Sequence, residues 1–146
     1  ADGARVVAAT TLRFHHFGLA TRDLEKSAQF LAASGFRVGP TIFDPEQSVD
    51  LAFAEHPLMP AVELISPRPG VPGPVDRLLA AQATAIYHLG YQCRSIEQSL
   101  TELRQAGSRV LQVSPPKPAV LFGGVHVAFV QVRDFGLVEL IEEAVR

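Results

Sequence analysis

"YHLGYQCRSIEQS", Tyr87–Ser99, repeats an earlier phrase of the chain, "HHFGLATRDLEKS", His15–Ser27. A shift of 72 residues lays His16 on His88, Gly18 on Gly90, Arg22 on Arg94, Glu25 on Glu97 and Ser27 on Ser99. The same register continues through Leu31 on Leu103, Gly35 on Gly107, Arg37 on Arg109 and Val38 on Val110. A second block matches at a shift of 76, with "VDLAF" (Val49–Phe53) on "VHVAF" (Val125–Phe129) and "VELI" (Val62–Ile65) on "VELI" (Val138–Ile141). The difference between the two registers falls in the Pro-rich stretch "SPPKPAVLFGG" (Ser114–Gly124) of the second copy. A register kept through two separate blocks marks two copies of one supersecondary unit.

Each copy opens with a short apolar strand that holds a histidine, "FHHFGLAT" or "IYHLGYQC". A helix follows, because Leu24, Ala28 and Leu31 recur at helical spacing, as do Ile96, Leu100 and Leu103. Asp23 is the expected N-cap of the first helix, and Ser95 with Gln98 reads as a capping box for the second. Gly35 and Gly107 stand where helices end in a left-handed residue. Three strands then complete each unit, near 36–43, 49–55 and 61–66 in the first copy and near 108–113, 126–130 and 137–142 in the second. The linker "SPRPGVPGP" (Ser66–Pro74) breaks regular structure, and a short helix near 75–81 leads into the second copy.

A βαβββ unit leaves one apolar sheet face uncovered and is not stable alone. The expected fold is therefore α+β, with two tandem βαβββ modules pairing into a half-open mixed β-barrel and helices outside. The expected divisions are an N-terminal tail at 1–11, a first module at 12–66, a linker with a short helix at 67–85 and a second module at 86–146, all in one structural domain.

Composition narrows the function. The 146 residues suit one compact domain, and the hydrophobic fraction of 47% with 19% charged residues is that of a globular protein. A formal net charge of -2 gives no basic footprint for nucleic acid and no cationic face for a membrane. Cys93 is the only cysteine, so no intramolecular disulfide forms and a cytoplasmic location is expected. Within its strand Cys93 reads as a small buried hydrophobe. The opening "ADGARVVAATTLR" lacks the basic-then-apolar layout of a signal peptide.

Four polar residues do not fit the apolar strands that hold them. Glu63 stands between Val62 and Leu64, Glu139 between Val138 and Leu140, and His16 and His88 interrupt the opening strands at matching points. Taken singly, a strand histidine is usually a hydrogen-bonded core or surface residue, and a strand glutamate faces water. Repeat-matched positions for all four favour something else. If their strands are central, two imidazoles and two carboxylates converge in one cavity, where an isolated carboxylate would cost many kcal/mol to desolvate. A divalent metal compensates that charge, and an N/O donor set of this kind suits Co, Mn, Ni or Zn. The repeat also favours His16 over His15, since position 87, opposite His15, is Tyr. His56 and His126 read as surface residues.

These residues, in this order, resemble the vicinal-oxygen-chelate superfamily, which includes glyoxalase I, extradiol dioxygenases, bleomycin-binding proteins and methylmalonyl-CoA epimerases. The likeness is to the epimerase branch: "HHFGLATRDLEKS" resembles its first-strand motif, "DPEQSV" (Asp44–Val49) its Pro-Glu-Gln-Gly-Val loop, and "VELISP" its second ligand strand. "YHLGYQC" and "HVAFVQ…LVELIE" are similar to the third and fourth ligand strands. The resemblance implies metal ligands at His16, Glu63, His88 and Glu139. It implies proton abstraction alpha to a thioester carbonyl, with Glu139 and Glu63 as the acid–base candidates. Two departures accompany it: Ser48 replaces the usual Gly of the loop, and Leu51 stands where some epimerases hold a second catalytic carboxylate.

Substrate contacts are expected from Gln47 and Leu51 on that loop and from Lys117, a candidate for the phosphates of coenzyme A. Phe122 would be a wall and Gly123 and Gly124 a hinge, if "PPKPAVLFGG" is a lid rather than a plain loop. The expected partner is a small molecule, such as an acyl thioester. A homodimer is compatible with two units that close a barrel alone or by exchange. The alternatives are a glyoxalase-like lyase on another small substrate and a non-catalytic binding module for a small molecule or carrier-bound intermediate.

Overall fold

The structure is a computed structural model that describes residues 12–144, so the tail expected at 1–11 lies outside the described residues. The first copy runs β1 (Arg13–Thr21), α1 (Leu24–Ala33), β2 (Arg37–Val38), β3 (Ile42–Asp44), β4 (Val49–Glu55) and β5 (Ala61–Pro67). After the linker comes α2 (Asp76–Ala81). The second copy runs β6 (Thr84–Cys93), α3 (Ile96–Gln105), β7 (Val110–Gln112), β8 (Lys117–Pro118), a 3-10 turn (Val120–Phe122), β9 (His126–Val132) and β10 (Gly136–Glu142).

All ten strands join one mixed sheet in the order β2-β4-β5-β1-β6-β10-β9-β7, with β3 on β4 and β8 on β9. The two copies meet along β1 and β6, which pair antiparallel, while β1 with β5 and β6 with β10 pair parallel. The outer strands β2 and β7 are edges, so the sheet is open rather than closed into a barrel. The strands that open and close each unit (β5, β1, β6 and β10) are thereby the four central ones.

Apolar side chains on one face of the sheet meet α1 and α3. Leu31 of α1 packs on Ala52, Ala54 and Leu64, and Ile96 and Leu100 of α3 pack on Cys93, Ala128, Val130 and Leu140. Each cluster of this size removes several side chains from water at roughly 1.5–3 kcal/mol apiece. Val75 and Leu79 of the α2 region cover Ala20, Val49, Leu51 and Ile65. Cys93 is buried, and burial pushes its thiol up to about 11.

Local signals behave largely as the residues dictate. Asp23 caps α1 by accepting from the Lys26 N–H at 3.0 Å, and Ser95 caps α3 by accepting from Gln98 N–H at 3.2 Å. The expected reciprocal half of the Ser95 box is not made, because the Gln98 side chain donates to Glu102 instead. Gly35 and Gly107 take φ of 98° and 96° after their helices, a region that excludes most L side chains. The strand expected over 36–43 is two short pieces, β2 and β3, which both pair with β4.

Candidate functional site

The site is built by two rows of residues that cross the sheet. In one row Gly18 of β1 is registered with Glu63 of β5 on one side and His88 of β6 on the other. In the other row Gly90 of β6 is registered with Glu139 of β10 and His16 of β1. Each imidazole lies flat across the opposing glycine. A Cβ added at Gly18 would come within 2.4 Å of the His88 ring, and one at Gly90 within 2.2 Å of the His16 ring. Only glycine leaves that space. The sequence carries this requirement in its repeated His-x-Gly, whose glycines have no evident function in the repeat alone.

The rows bring all four repeat-matched residues together. His16 Nε2 lies 3.0 Å from His88 Nε2. Glu139 Oε1 is 3.3 Å from His16 Nε2 and 3.7 Å from His88 Nε2. Glu63 completes the set, with Oε1 at 3.7 Å from His88 Nε2 and Oε2 at 3.9 Å from His16 Nε2. All four residues are buried, His16 to 0% exposure.

Burial sets their charges. It lowers the pKa of His16, partly offset by Glu63, and lowers that of His88 to about 3 with a further push from His16. Burial raises both carboxyl groups, with Glu139 and Asp44 adding to the rise at Glu63 and Asp44 adding to it at Glu139. Like charges and low dielectric thus both oppose ionisation here.

The donor set fits a divalent cation. His16, Glu63 and His88 each offer a ligand atom within 4.8 Å of the others. Glu139 Oε1 and His88 Nδ1 are buried and have no hydrogen-bond partner among the described residues. An oxygen so placed carries an uncompensated desolvation cost that a cation relieves. At 3.0 Å from each other, the two imidazole Nε2 atoms are close enough to serve one cation.

A cavity of about 260 Å³ opens near the cluster, although none of His16, Glu63, His88 and Glu139 lines it. Tyr87 and Phe129 line it, and the rings of both lie 5.3 Å from that of His88. Gln47 and Lys117 also line it, the first donating to Asp44 at 3.0 Å and the second paired with Glu46 at 3.8 Å. Phe122 stands at the cluster's other side, its ring 5.6 Å from His16 and 5.5 Å from Phe53. Gly123 and Gly124 follow it with φ of 67° and 81°. Leu51 shares the sheet face of Glu63 but is covered, 3% exposed in the α2 cluster against which Tyr87 also packs, and it does not line the cavity; Asp50 turns outward to Arg68. His126 is exposed, whereas His56 is half-buried against Phe36 and accepts from the Leu58 N–H.

Two neighbours were not foreseen. Asp44 is 3% exposed at the end of β3 and lines the cavity. Its carboxylate accepts from the Glu46 N–H, and its carbonyl from Ser48 N–H, which ties "DPEQS" into a closed turn. Ser48 takes φ 57° there, a left-handed conformation that favours glycine. His15 is the second. Its repeat counterpart is Tyr87, which favours His16 as the ligand, yet its Nδ1 lies 2.8 Å from that of His16. Burial and the adjacent His16 lower the His15 pKa to about 4.

Known proteins share this architecture. The methylmalonyl-CoA epimerase of Mycobacterium tuberculosis superposes with a TM-score of 0.76 at 18% identity, over 97% of this chain and 94% of that one. A variant of the Streptomyces coelicolor methylmalonyl-CoA epimerase in complex with 2-nitronate-propionyl-CoA gives 0.73 at 25% identity, over 91% and 98%. The ethylmalonyl-CoA/methylmalonyl-CoA epimerase of Cereibacter sphaeroides is 33% identical over 132 residues, 88% of this chain and 96% of that protein. With its family model matched across residues 15–129, the chain belongs to the Glyoxalase/Bleomycin resistance protein/Dioxygenase superfamily.

Proposed function

We propose that the chain is a metal-dependent epimerase or isomerase that removes the proton alpha to the carbonyl of an acyl thioester, in the manner of methylmalonyl-CoA epimerase. The observation that carries this reading is the meeting of two buried imidazole Nε2 atoms and two buried carboxyl groups beside a cavity. His16, Glu63, His88 and Glu139 would hold Co, Mn, Ni or Zn. The bound cation supplies Lewis acidity at the carbonyl oxygen, which stabilises the charge left when the alpha proton departs.

Inverting a stereocentre requires a proton acceptor on one face and a donor on the other. In favour of two carboxyl groups in these roles, Glu63 on β5 and Glu139 on β10 enter the cluster from either side of the histidine strands β1 and β6. Glu139 is the first choice for one role and Glu63 for the other. The apolar Leu51, closed into the α2 cluster, leaves the second role to Glu63. Gln47, Tyr87 and Phe129 would receive the acyl part, with Lys117 placed for a phosphate and Phe122 with Gly123 and Gly124 as a movable wall.

The test is deuterium uptake at the alpha carbon of methylmalonyl-CoA in D2O with cobalt present. Uptake is expected, and Glu139→Gln and Glu63→Gln each lower its rate by about 100-fold or more. Wild-type protein that binds cobalt yet shows no uptake would overturn the reading.

A further inference from the structure

A regular strand turns adjacent side chains to opposite faces, so His15 should point away from His16. It does not, because β1 carries a bulge. Phe14 opposes Tyr91 and His16 opposes Gly90, which leaves His15 as an extra residue between two consecutive partners. The bulge brings the two rings to 5.0 Å at 84°, with Nδ1 facing Nδ1 at 2.8 Å.

One proton serves that contact. A nitrogen that ligates a cation must be unprotonated, so His16 with a free Nε2 carries its proton on Nδ1 and donates it. His15 Nδ1 is then the acceptor, in the tautomer protonated on Nε2. Partners of this kind behind a ligating histidine commonly set its tautomer and ring plane. We propose that His15 is a positioning residue, whose Nδ1 holds His16 in the tautomer and orientation that point Nε2 into the cluster.

His15 is itself held on two sides. Its ring stacks on Phe53 at 5.7 Å and 24°, and meets the edge of Phe122 at 5.2 Å and 88°. The second copy repeats the bulge, with Tyr87 as the extra residue of β6 between His88 opposite Gly18 and Ile86 opposite Leu19, but not the acceptor. Tyr87 occupies the matching position, and His88 Nδ1 has no hydrogen-bond partner among the described residues.

The inference rests on the cation-site reading, so its first readout is taken from metal-free protein. Long-range ¹H–¹⁵N spectra report the tautomer of His16, and a cobalt titration reports affinity. Wild-type protein shows His16 protonated on Nδ1. His15→Phe keeps a stacked ring but removes the acceptor; His16 then populates the other tautomer, and cobalt affinity drops about 10- to 100-fold. His15→Asn, whose Oδ1 takes the place of Nδ1, recovers most of both. Should His15→Phe fail to fold, His15→Ala removes the same acceptor. An unchanged His16 tautomer in either acceptor-less variant overturns the proposal, as does an Asn variant no better than Phe. If wild-type protein takes up no cobalt, the cation reading fails by itself, while the tautomer comparison still decides the role of His15.

Discussion

His16 and His88 hold matching positions in two copies of one unit, yet they are supported differently. Both rings lie across a glycine of the opposing strand, and both Nε2 atoms meet the same pair of carboxyl groups. Behind His16 stands His15 within hydrogen-bond distance; behind His88, among the described residues, stands packing alone, from the rings of Tyr87 and Phe129. The repeated backbone therefore supplies the convergence, and residues that differ between the copies supply the tuning. The second copy adds its own element, the insertion that forms β8 and carries Phe122 over the cluster.

Removing a ligand from either copy tests whether the two halves contribute equally to one cation. His16→Ala and His88→Ala should each lose stoichiometric cobalt by elemental analysis, a drop beyond the roughly 10- to 100-fold typical of partners behind a ligand. Full metal content in either variant would break the pairing of the halves. The glycines probe the same symmetry more gently. Gly18→Ala drives a methyl into His88, and Gly90→Ala drives one into His16, each at a cost of about 1–3 kcal/mol for overpacking. Gly90→Ala should cost more, because turning His16 breaks its contact with His15, whereas turning His88 breaks no hydrogen bond at Nδ1. Urea midpoints of the metal-free variants measure this, and equal losses would mean that the His15 contact restrains nothing.

The central part of this architecture was readable because the chain states it twice. A polar residue inside one apolar strand is ambiguous, but four at repeat-matched places select the opening and closing strands of each unit, which topology then makes central. What escaped has no marker of that kind. No residue type announces the bulge at His15; strict alternation assigns it to the wrong face, and its Tyr87 counterpart argued against it. The His-x-Gly glycines were visible as letters, but their purpose is a contact across two strands that local spacing does not contain. By sequence Asp44 is one letter of a loop motif, whereas in the fold "DPEQS" turns back on its own backbone and Asp44 is buried. Gln98 had two acceptable partners, and Glu102, one helical turn away, was the one it took.

The smallest expected difference between the copies lies at their helix N-termini. Asp23 and Ser95 both accept from the backbone N–H three residues on, at 3.0 and 3.2 Å, so replacing either by Ala removes one cap and costs about 1 kcal/mol. That corresponds to about 2–4 °C in Tm for a domain of this size. Asp23 differs in placing a charge at the positive end of the α1 dipole, an effect of about 0.3–1 kcal/mol at low salt. Its side chain is 52% exposed and only loosely paired with Lys26 at 3.9 Å, so solvent screens the charge and the lower end of that range applies. Asp23→Asn, which keeps the accepting oxygen, should therefore lose only a few tenths of a kcal/mol, and that loss should vanish at about 0.5 M salt. Ser95→Ala carries no such salt dependence. A salt-independent loss in Asp23→Asn would mean that α1 is capped by hydrogen bonding alone, as α3 is, and that the two helix starts are equivalent after all.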